Sequence, residues 1–301
     1  MMSKVLYGFF YLLSLLPLFI LYGIADFFYL VLYYVVGYRK DVVMKNLAIA
    51  FPEKTIAERK AISRKFFRNF MHTWIETIKF ISISERQMNR MVTGDYNLLY
   101  ELHDKKHPRV TLLSGHFMNW ELYNFCVPIH QPYPLLAVYM HISNKPMNDL
   151  FLKLRKRFGS NLLRAGEMRT EMMPWRNKEY IIGLGADQNP GHPTNAVWLN
   201  FFNRPTAFVT GPEKNARMGK TPVVMSYLEK QGIGKYRLCF ELLFESPEGL
   251  TEYEITRAYV KRLEEIIRLR PDNYLWTHKR WKHSWKEEYK ELWVDSEPPQ
   301  V

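Results

Sequence analysis

The chain opens on an uncharged apolar run, "VLYGFFYLLSLLPLFILYGIA" at residues 5–25, and after a lone Asp26 resumes with a second run at 27–37. The first run has about 20 residues, the length at which a helix crosses a hydrocarbon core. Its many Tyr and Phe residues suit a segment that meets the membrane interface. Pro17 and Asp26 leave three geometries open: a kinked span, a re-entrant hairpin or a helix lying in the interface. A buried core helix is the alternative for the same pattern. A cleaved signal peptide fits poorly, because the run is too long and no A-x-A-like site closes it. Arg39, Lys40 and Lys45 follow the runs whereas only Lys4 precedes them, so the positive-inside rule places the body of the chain in the cytoplasm.

From residue 40, "KDVVMKNLAIAFPEKTIAERKAISRKFFRNFMHTWIETIKFI" carries apolar residues at helical spacing and is interrupted once, at "FPEKT". Thr55 with Glu58 forms a capping box for the helix that follows. The basic residues of that helix (Arg59, Lys60, Arg64, Lys65 and Arg68) interleave with Ile62, Phe66, Phe67 and Phe70. They form either a solvated face or a contact with anionic lipid headgroups. Beyond Arg109 the pattern changes to short apolar runs, "VTLLS", "YIIGLGA", "PVVMSYL" and "YRLCFELLF", set between helical segments. A last helix is predicted at 255–269, stopping before Pro271. Strands alternating with helices predict an α/β fold: a mixed central sheet flanked by helices, behind an amino-terminal hydrophobic membrane-anchoring helix. The expected division is 1–40 as anchor and 41–301 as one further domain. In such a sheet, functional residues gather at the carboxyl ends of strands, where "SGHFMNWE" and "GADQNPG" both lie.

Composition narrows this picture. Of 301 residues, 47% are hydrophobic, which supplies a core and excludes a disordered chain. The 42 Lys and Arg outnumber the 30 Asp and Glu to give a net charge of +12, pointing to an acidic partner: nucleic acid, an anionic membrane surface or an acidic carrier protein. The apolar amino terminus and the lack of any nucleic-acid-binding motif favour the last two. Cys126 and Cys239 lie far apart, so neither a disulfide framework nor a zinc site is expected. No cofactor or metal is called for.

The chemistry rests first on "LLSGHFMNWELYNF" at 112–125. His116 and Glu121 are five residues apart, which on a regular helix would turn them about 140° from each other. They meet more readily if His116 sits in the turn after the strand and Glu121 in the first turn of the next helix. Such a pair suits general-base catalysis, the carboxylate fixing the imidazole tautomer while the other nitrogen takes a proton from a hydroxyl. A structural His beside an unrelated Glu is the alternative. No G-x-S-x-G elbow accompanies Ser114, and Cys126 reads as a small buried residue, so a covalent acyl-enzyme is not indicated. The string "GKT" at 219–221 is not a P-loop, because Lys214 stands where that motif needs glycine and Pro222 follows at once.

"GHFMNWE" resembles the H-x4-D/E motif in the form found in the bacterial lipid A biosynthesis acyltransferases. The resemblance extends in order through the apolar amino terminus, "NLAIAFPEKTIAER", "LRKRFGSNLLR", "GADQNPG", "FFNRPTAFVTGPEKNAR" and "PDNYLWTHKRWK", which together span most of the chain. It implies a glycerol-3-phosphate acyltransferase-like fold over 41–301, and direct acyl transfer from a thioester of acyl carrier protein, or acyl-CoA, to a hydroxyl of a lipid A precursor. Transfer to another glycolipid or a lysophospholipid is the alternative. By the same resemblance His116 is the base and Glu121 its orienting partner. Arg155, Arg157 and Arg164 bind phosphate or stabilise charge, and Asp187 and Gln188 line the site. The implied location is the bacterial inner membrane, with the catalytic domain on the cytoplasmic side. One position departs from the family: Met118 stands where most members carry glycine, so the shape of that turn differs from the usual pattern.

Overall fold

A computed structural model describes residues 2–296, with side chains from Val5 onward; residues 297–301 of the expected second domain and the side chain of Lys4 lie outside what it describes. The amino-terminal run does not form one helix over 5–25. Proline has no N–H for the helical ladder and disfavours a helical residue before it, so the chain breaks at Pro17. Helix α1 covers Met2–Ser14 and α2 covers Leu18–Leu30, continuing as a wider π-helical turn over Val31–Val36. The turn ends at Gly37, whose φ of 65° lies in the left-handed region that glycine enters without strain. The helix long and apolar enough to cross a membrane is therefore Leu18–Val36, and Asp26 lies within it. Its outer face is apolar and bare: Phe19 is 75% exposed and Val35 80%.

Asp26 is accounted for by what lies behind it. Helix α3 (Lys40–Ala50) leads through the predicted break to α4 (Ile56–Lys79), whose first turn carries the capping box, Thr55 accepting from the Glu58 N–H and Glu58 from the Thr55 N–H. Along α4, Arg68 donates twice to Asp26, at 2.7 and 2.6 Å, and His72 Nε2 lies 2.9 Å from the same carboxylate. One turn further along α4 and one turn back along α2, Tyr22 Oη donates to Glu76 at 2.9 Å. Thus α2 turns a stripe of polar groups, with the buried Leu21 and Ala25, onto α4 and leaves an apolar face outward. α1 packs against α4 and a later helix, α8 (Lys145–Arg155). The described residues of the first forty and the rest of the chain consequently share a continuous contact along α4.

The body alternates as predicted. In chain order it comprises α5 (Glu85–Met91), β1 (Val92–Gly94), α6 (Asn97–Asp104), β2 (Arg109–Ser114), α7 (Tyr123–His130), β3 (Leu135–Tyr139), α8 (Lys145–Arg155) and β4 (Asn161–Arg164). Then come α9 (Met168–Glu171), β5 (Tyr180–Gly185), β6 (Ala196–Asn200), β7 (Pro205–Val209), α10 (Gly211–Gly219), β8 (Val223–Gly232), β9 (Lys235–Phe244) and α11 (Glu254–Leu269). Seven strands form a mixed sheet in the order β1-β9-β8-β2-β5-β3-β4, in which only β8 and β9 run antiparallel to each other; β6 and β7 form a separate hairpin. The central strand β2 is covered on both faces, with Val110, Leu112 and Leu113 each at most 2% exposed. Burying each such side chain contributes about 1.5–3 kcal/mol, which is why this strand reads as an unbroken apolar run.

Candidate active site

Two strand ends build the site. Parallel pairing of β2 with β5 sets Ser114 opposite Gly185, and the ladder continues with the Ala186 N–H donating to the Ser114 carbonyl at 3.1 Å. Residues two beyond each strand end, His116 and Asp187, are thereby neighbours. His116 Nδ1 lies 2.6 Å from Asp187 Oδ1, and the His116 backbone N–H donates to Oδ2 at 2.9 Å. Both carboxylate oxygens are used on one residue, so ring and backbone are fixed together. Gly185 matters for the same reason: a Cβ there would stand 3.1 Å from His116 Cε1, closer than ordinary contact. The Leu275 N–H donates to the His116 carbonyl at 3.1 Å and the Met118 N–H to the Asn273 carbonyl at 2.9 Å. In this way "PDNYLWTHKRWK" braces the turn. Asn46 Nδ2 donates in turn to the Trp276 and His278 carbonyls at 2.8 and 2.7 Å, bringing the "NLAIAF" block to the same place.

Asp187 is 1% exposed, and burial pushes its carboxyl up, but the charge of His116 and the two hydrogen bonds from that residue outweigh it and bring it down to about 2. On His116, burial pushes the imidazole down, while the charge and hydrogen bond of Asp187, with the charge of Glu121 behind them, hold it above the usual histidine range. Among the described residues no hydrogen-bond partner engages Nε2. An ionised carboxylate on Nδ1 favours the tautomer with its proton there, which leaves Nε2 as the basic nitrogen.

Glu121 is not the group that holds the His116 ring. The turn after β2 does not enter a regular helix at once: a 3-10 turn runs over Trp120–Leu122, and Glu121 in its middle is aimed at α8. There Arg155 Nε and Nη2 donate to its two oxygens at 2.9 and 2.5 Å, and Trp120 Nε1 donates at 3.2 Å. The three arginines part company. Arg155, the last residue of α8, lines the cavity beside His116; Arg157 turns away and donates to the Phe80 carbonyl at 2.6 Å; Arg164, at the end of edge strand β4, sits in solvent with Glu167 at 2.6 Å. Gln188 lines the cavity. Met118 is fully buried against α4, where Thr73 Oγ1 lies 3.2 Å from its sulfur, so the side chain that replaces glycine fills core and not the site.

His116 and Glu121 open onto a cavity of about 1030 Å³ whose walls include Val138, Ile142, Leu162, Met168, Met172 and Leu184. Lys214 and Arg169 stand at the same cavity. Sequence reasoning gave no role to His278 or Arg280, although both fall in a quoted block. His278 Nε2 accepts the Asn189 N–H at 3.1 Å; burial, then the charge of Arg280, pushes this imidazole down to about 4, so it stays a neutral acceptor. Arg280, 2% exposed, donates to Asn189 Oδ1 and the Ala207 carbonyl, tying the loop that carries Asp187 to the carboxyl-terminal segment.

The buried ion pair makes one prediction of stability. Arg155→Ala leaves the Glu121 carboxylate buried without its counter-ion, an expected loss of about 3–5 kcal/mol. Arg164→Ala removes an exposed pair and should change stability by no more than about 0.5 kcal/mol. Thermal unfolding of the two variants in detergent checks the difference, and equal melting points would refute it.

A family model described as bacterial lipid A biosynthesis acyltransferase matches residues 3–283. The chain is 26% identical over 254 residues to a lipid A biosynthesis acyltransferase of Haemophilus influenzae, a match covering 81% of this chain and 78% of that protein. It is 24% identical over 250 residues to the lipid A biosynthesis palmitoleoyltransferase of Escherichia coli, and 25% over 247 residues to the lipid A biosynthesis lauroyltransferase of that organism; each match covers 81% of this chain and 79% of the relative.

Proposed function

Since the chain belongs to the bacterial lipid A biosynthesis acyltransferase family, and is on that ground an acyltransferase, we propose that it moves a fatty acyl chain from an acyl thioester to a hydroxyl of a lipid A precursor. The observation that carries the mechanism is the His116–Asp187 contact at 2.6 Å beside an apolar cavity of about 1030 Å³. His116 Nε2 takes the proton of the acceptor hydroxyl as its oxygen attacks the thioester carbonyl. The tetrahedral intermediate collapses with cleavage of the C–S bond, and the leaving thiolate takes the proton back from the imidazolium. Asp187 keeps the proton of the resting imidazole on Nδ1 and stabilises the imidazolium. Glu121 lies near the ring without touching it, and Arg155, which fixes it, opposes its charge on the imidazole. Of the residues that the resemblance assigns to substrate, Arg155 and Gln188 remain at the cavity, joined by Lys214 and Arg169; Arg157 and Arg164 have no part in this reading.

The donor is an acyl carrier protein thioester. An acidic carrier complements a chain of net charge +12, and the same charge draws the body to anionic headgroups. The bare apolar face of helix Leu18–Val36 supports a seat for the enzyme at the inner membrane. The cluster Arg39, Lys40 and Lys45 supports a catalytic body on the cytoplasmic side, where a membrane-bound acceptor would meet a raised effective concentration of enzyme. Mass spectrometry of lipid A from source cells with and without the gene tests the proposal. The expected result is loss of one acyl chain in the deletion strain and its return on complementation. Unchanged lipid A would reject the acceptor and turn attention to whichever other glycolipid or lysophospholipid lost an acyl group.

A further inference from the structure

A carboxylate that plays no part in this chemistry lies behind the turn that carries it. Glu76 on α4 has no exposed surface, yet it accepts hydrogen bonds from three different elements. Tyr22 Oη of α2 donates to Oε1 at 2.9 Å, while Tyr236 Oη of β9 and Asn119 Nδ2 of the turn after β2 donate to Oε2 at 2.7 and 3.1 Å. Asn119 is itself fully buried and makes two more connections, its Oδ1 accepting the Glu121 N–H at 3.1 Å and its Nδ2 donating to the Thr73 carbonyl at 3.3 Å. Glu121 then holds Arg155, so an unbroken line of hydrogen bonds runs from the apolar helix through Glu76 and Asn119 to the cavity wall.

The rest of the α2–α4 contact fixes this line in space. Tyr22 and Asp26 are one turn apart on α2, facing Glu76, His72 and Arg68, each one turn apart on α4. At the far end, Lys79 Nζ donates to the Ser14 and Leu16 carbonyls at 2.9 and 3.0 Å, clamping the break between α1 and α2. The buried ammonium of Lys230, with no hydrogen-bond partner among the described residues, interacts with the charge of Glu76. Isolating a carboxylate from water is costly, and a neutral side chain of similar shape would fill the space. What the carboxylate provides is two acceptor oxygens that take α2, β9 and the turn at once with each of those partners as the donor.

We propose that Glu76 is a positioning residue, binding the Asn119 side of the catalytic turn to helix α2 so that the seating of that helix and the placement of Glu121 beside His116 are set together. The proposal rests on the acyl-transfer reading above. Its test is steady-state kinetics of the full-length protein, with a lipid A precursor and an acyl carrier protein thioester, alongside thermal unfolding of each variant.

Asn119→Asp sets two buried carboxyl groups against each other, so that their contact survives only by taking up a proton. It should lower kcat, per folded molecule, about tenfold or more while both KM values stay within about twofold. Adding Glu76→Gln reverses donor and acceptor across the same contact, and the new carboxylate can still accept the Glu121 N–H. The Thr73 carbonyl, which accepts from Asn119 Nδ2 in the wild type, then faces an oxygen, so the double variant should regain part of the lost kcat and not all of it, a non-additivity that only residues in contact display. Tyr22→Phe, which frees the α2 end of the line, should lower kcat severalfold. The proposal is overturned if Asn119→Asp leaves kcat per folded molecule unchanged, if the double variant is no better than that single one, or if Tyr22→Phe has wild-type kcat. A wild-type protein inactive on the lipid A precursor would instead reject the acyl-transfer reading, before any variant is compared.

Discussion

Replacing His116 by asparagine is expected to lower acyl transfer by about 10³–10⁴-fold while leaving the melting point nearly unchanged. Asparagine suits this purpose better than alanine because of what Asp187 requires. That carboxylate is 1% exposed and takes one hydrogen bond from the His116 ring and one from its backbone. The asparagine amide nitrogen can stand near the position of Nδ1 and donate to the same oxygen, so Asp187 keeps both contacts, but no basic nitrogen remains. His116→Ala should lose as much activity and also about 1–3 kcal/mol of stability, since one oxygen of the buried carboxylate loses its donor. Acyl-transfer assays paired with thermal unfolding separate the two effects. Near-wild-type activity in the asparagine variant would remove His116 from the chemistry.

How this pair arises also marks the limit of what the sequence makes legible. The H-x4-E spacing is local and draws attention to Glu121. The residue that holds the imidazole is 71 positions away, brought there by the pairing of Ser114 with Gly185 across two parallel strands. Parallel register is set by the packing of crossover helices onto the sheet, and no short-range pattern encodes it. The ordered blocks did bring His116 and Asp187 into one site, but without the contact between them. Similarly, the five-residue spacing could not say whether Glu121 enters a helix or a 3-10 turn, and that difference sends it to Arg155.

The fold was legible wherever burial leaves a continuous signal. "VTLLS", "YIIGLGA", "PVVMSYL" and "YRLCFELLF" became β2, β5, β8 and β9, and Thr55 with Glu58 capped α4 as expected. Among the described residues, five strands stand outside those runs, among them β6 and β7, the five-residue strands of the separate hairpin. β1 is three residues long; β4, "NLLR", has two apolar side chains; β3 follows two prolines in "QPYPLLAVY". The apolar amino terminus supplies the expected candidate anchor, and only the bounds of its helix differ, for a related reason. Hydropathy joins residues 5–25 across Pro17 and divides them from 27–37 at Asp26, but the missing proline N–H breaks the helix, whereas a carboxylate met by Arg68 and His72 is carried inside it.

Asp187→Asn should reduce kcat by about 10²–10⁴-fold and shift the surviving activity toward lower pH. The reduction follows from counting donors and acceptors. Asp187 accepts from the His116 ring with one oxygen and from the His116 backbone with the other, and an amide offers a single acceptor. If its oxygen faces the ring, its NH2 group meets the backbone N–H; if it is turned over, the NH2 group donates to Nδ1 and forces the proton onto Nε2, the nitrogen that must be basic. The pH shift follows from charge. In the wild type Asp187 helps hold the His116 imidazole above the usual histidine range, so base activity should fall as pH is lowered through a value above about 6.5. Without that charge, burial is opposed chiefly by the more distant Glu121, and the acid limb of the rate profile moves down. Stability has the opposite sign, which keeps acid unfolding from imitating the effect. A raised histidine contributes stability that is fully present below about 6.5 and lost as pH rises through its folded value, while Asp187, held at about 2, keeps its contribution until the pH falls toward that value. Between pH 5 and pH 7 (roughly the titration range of histidine), wild-type activity should therefore fall with acid while the His116–Asp187 contribution to stability does not. A rate profile for Asp187→Asn with its acid limb unmoved, or moved upward, would show that this carboxylate does not set the proton affinity of His116.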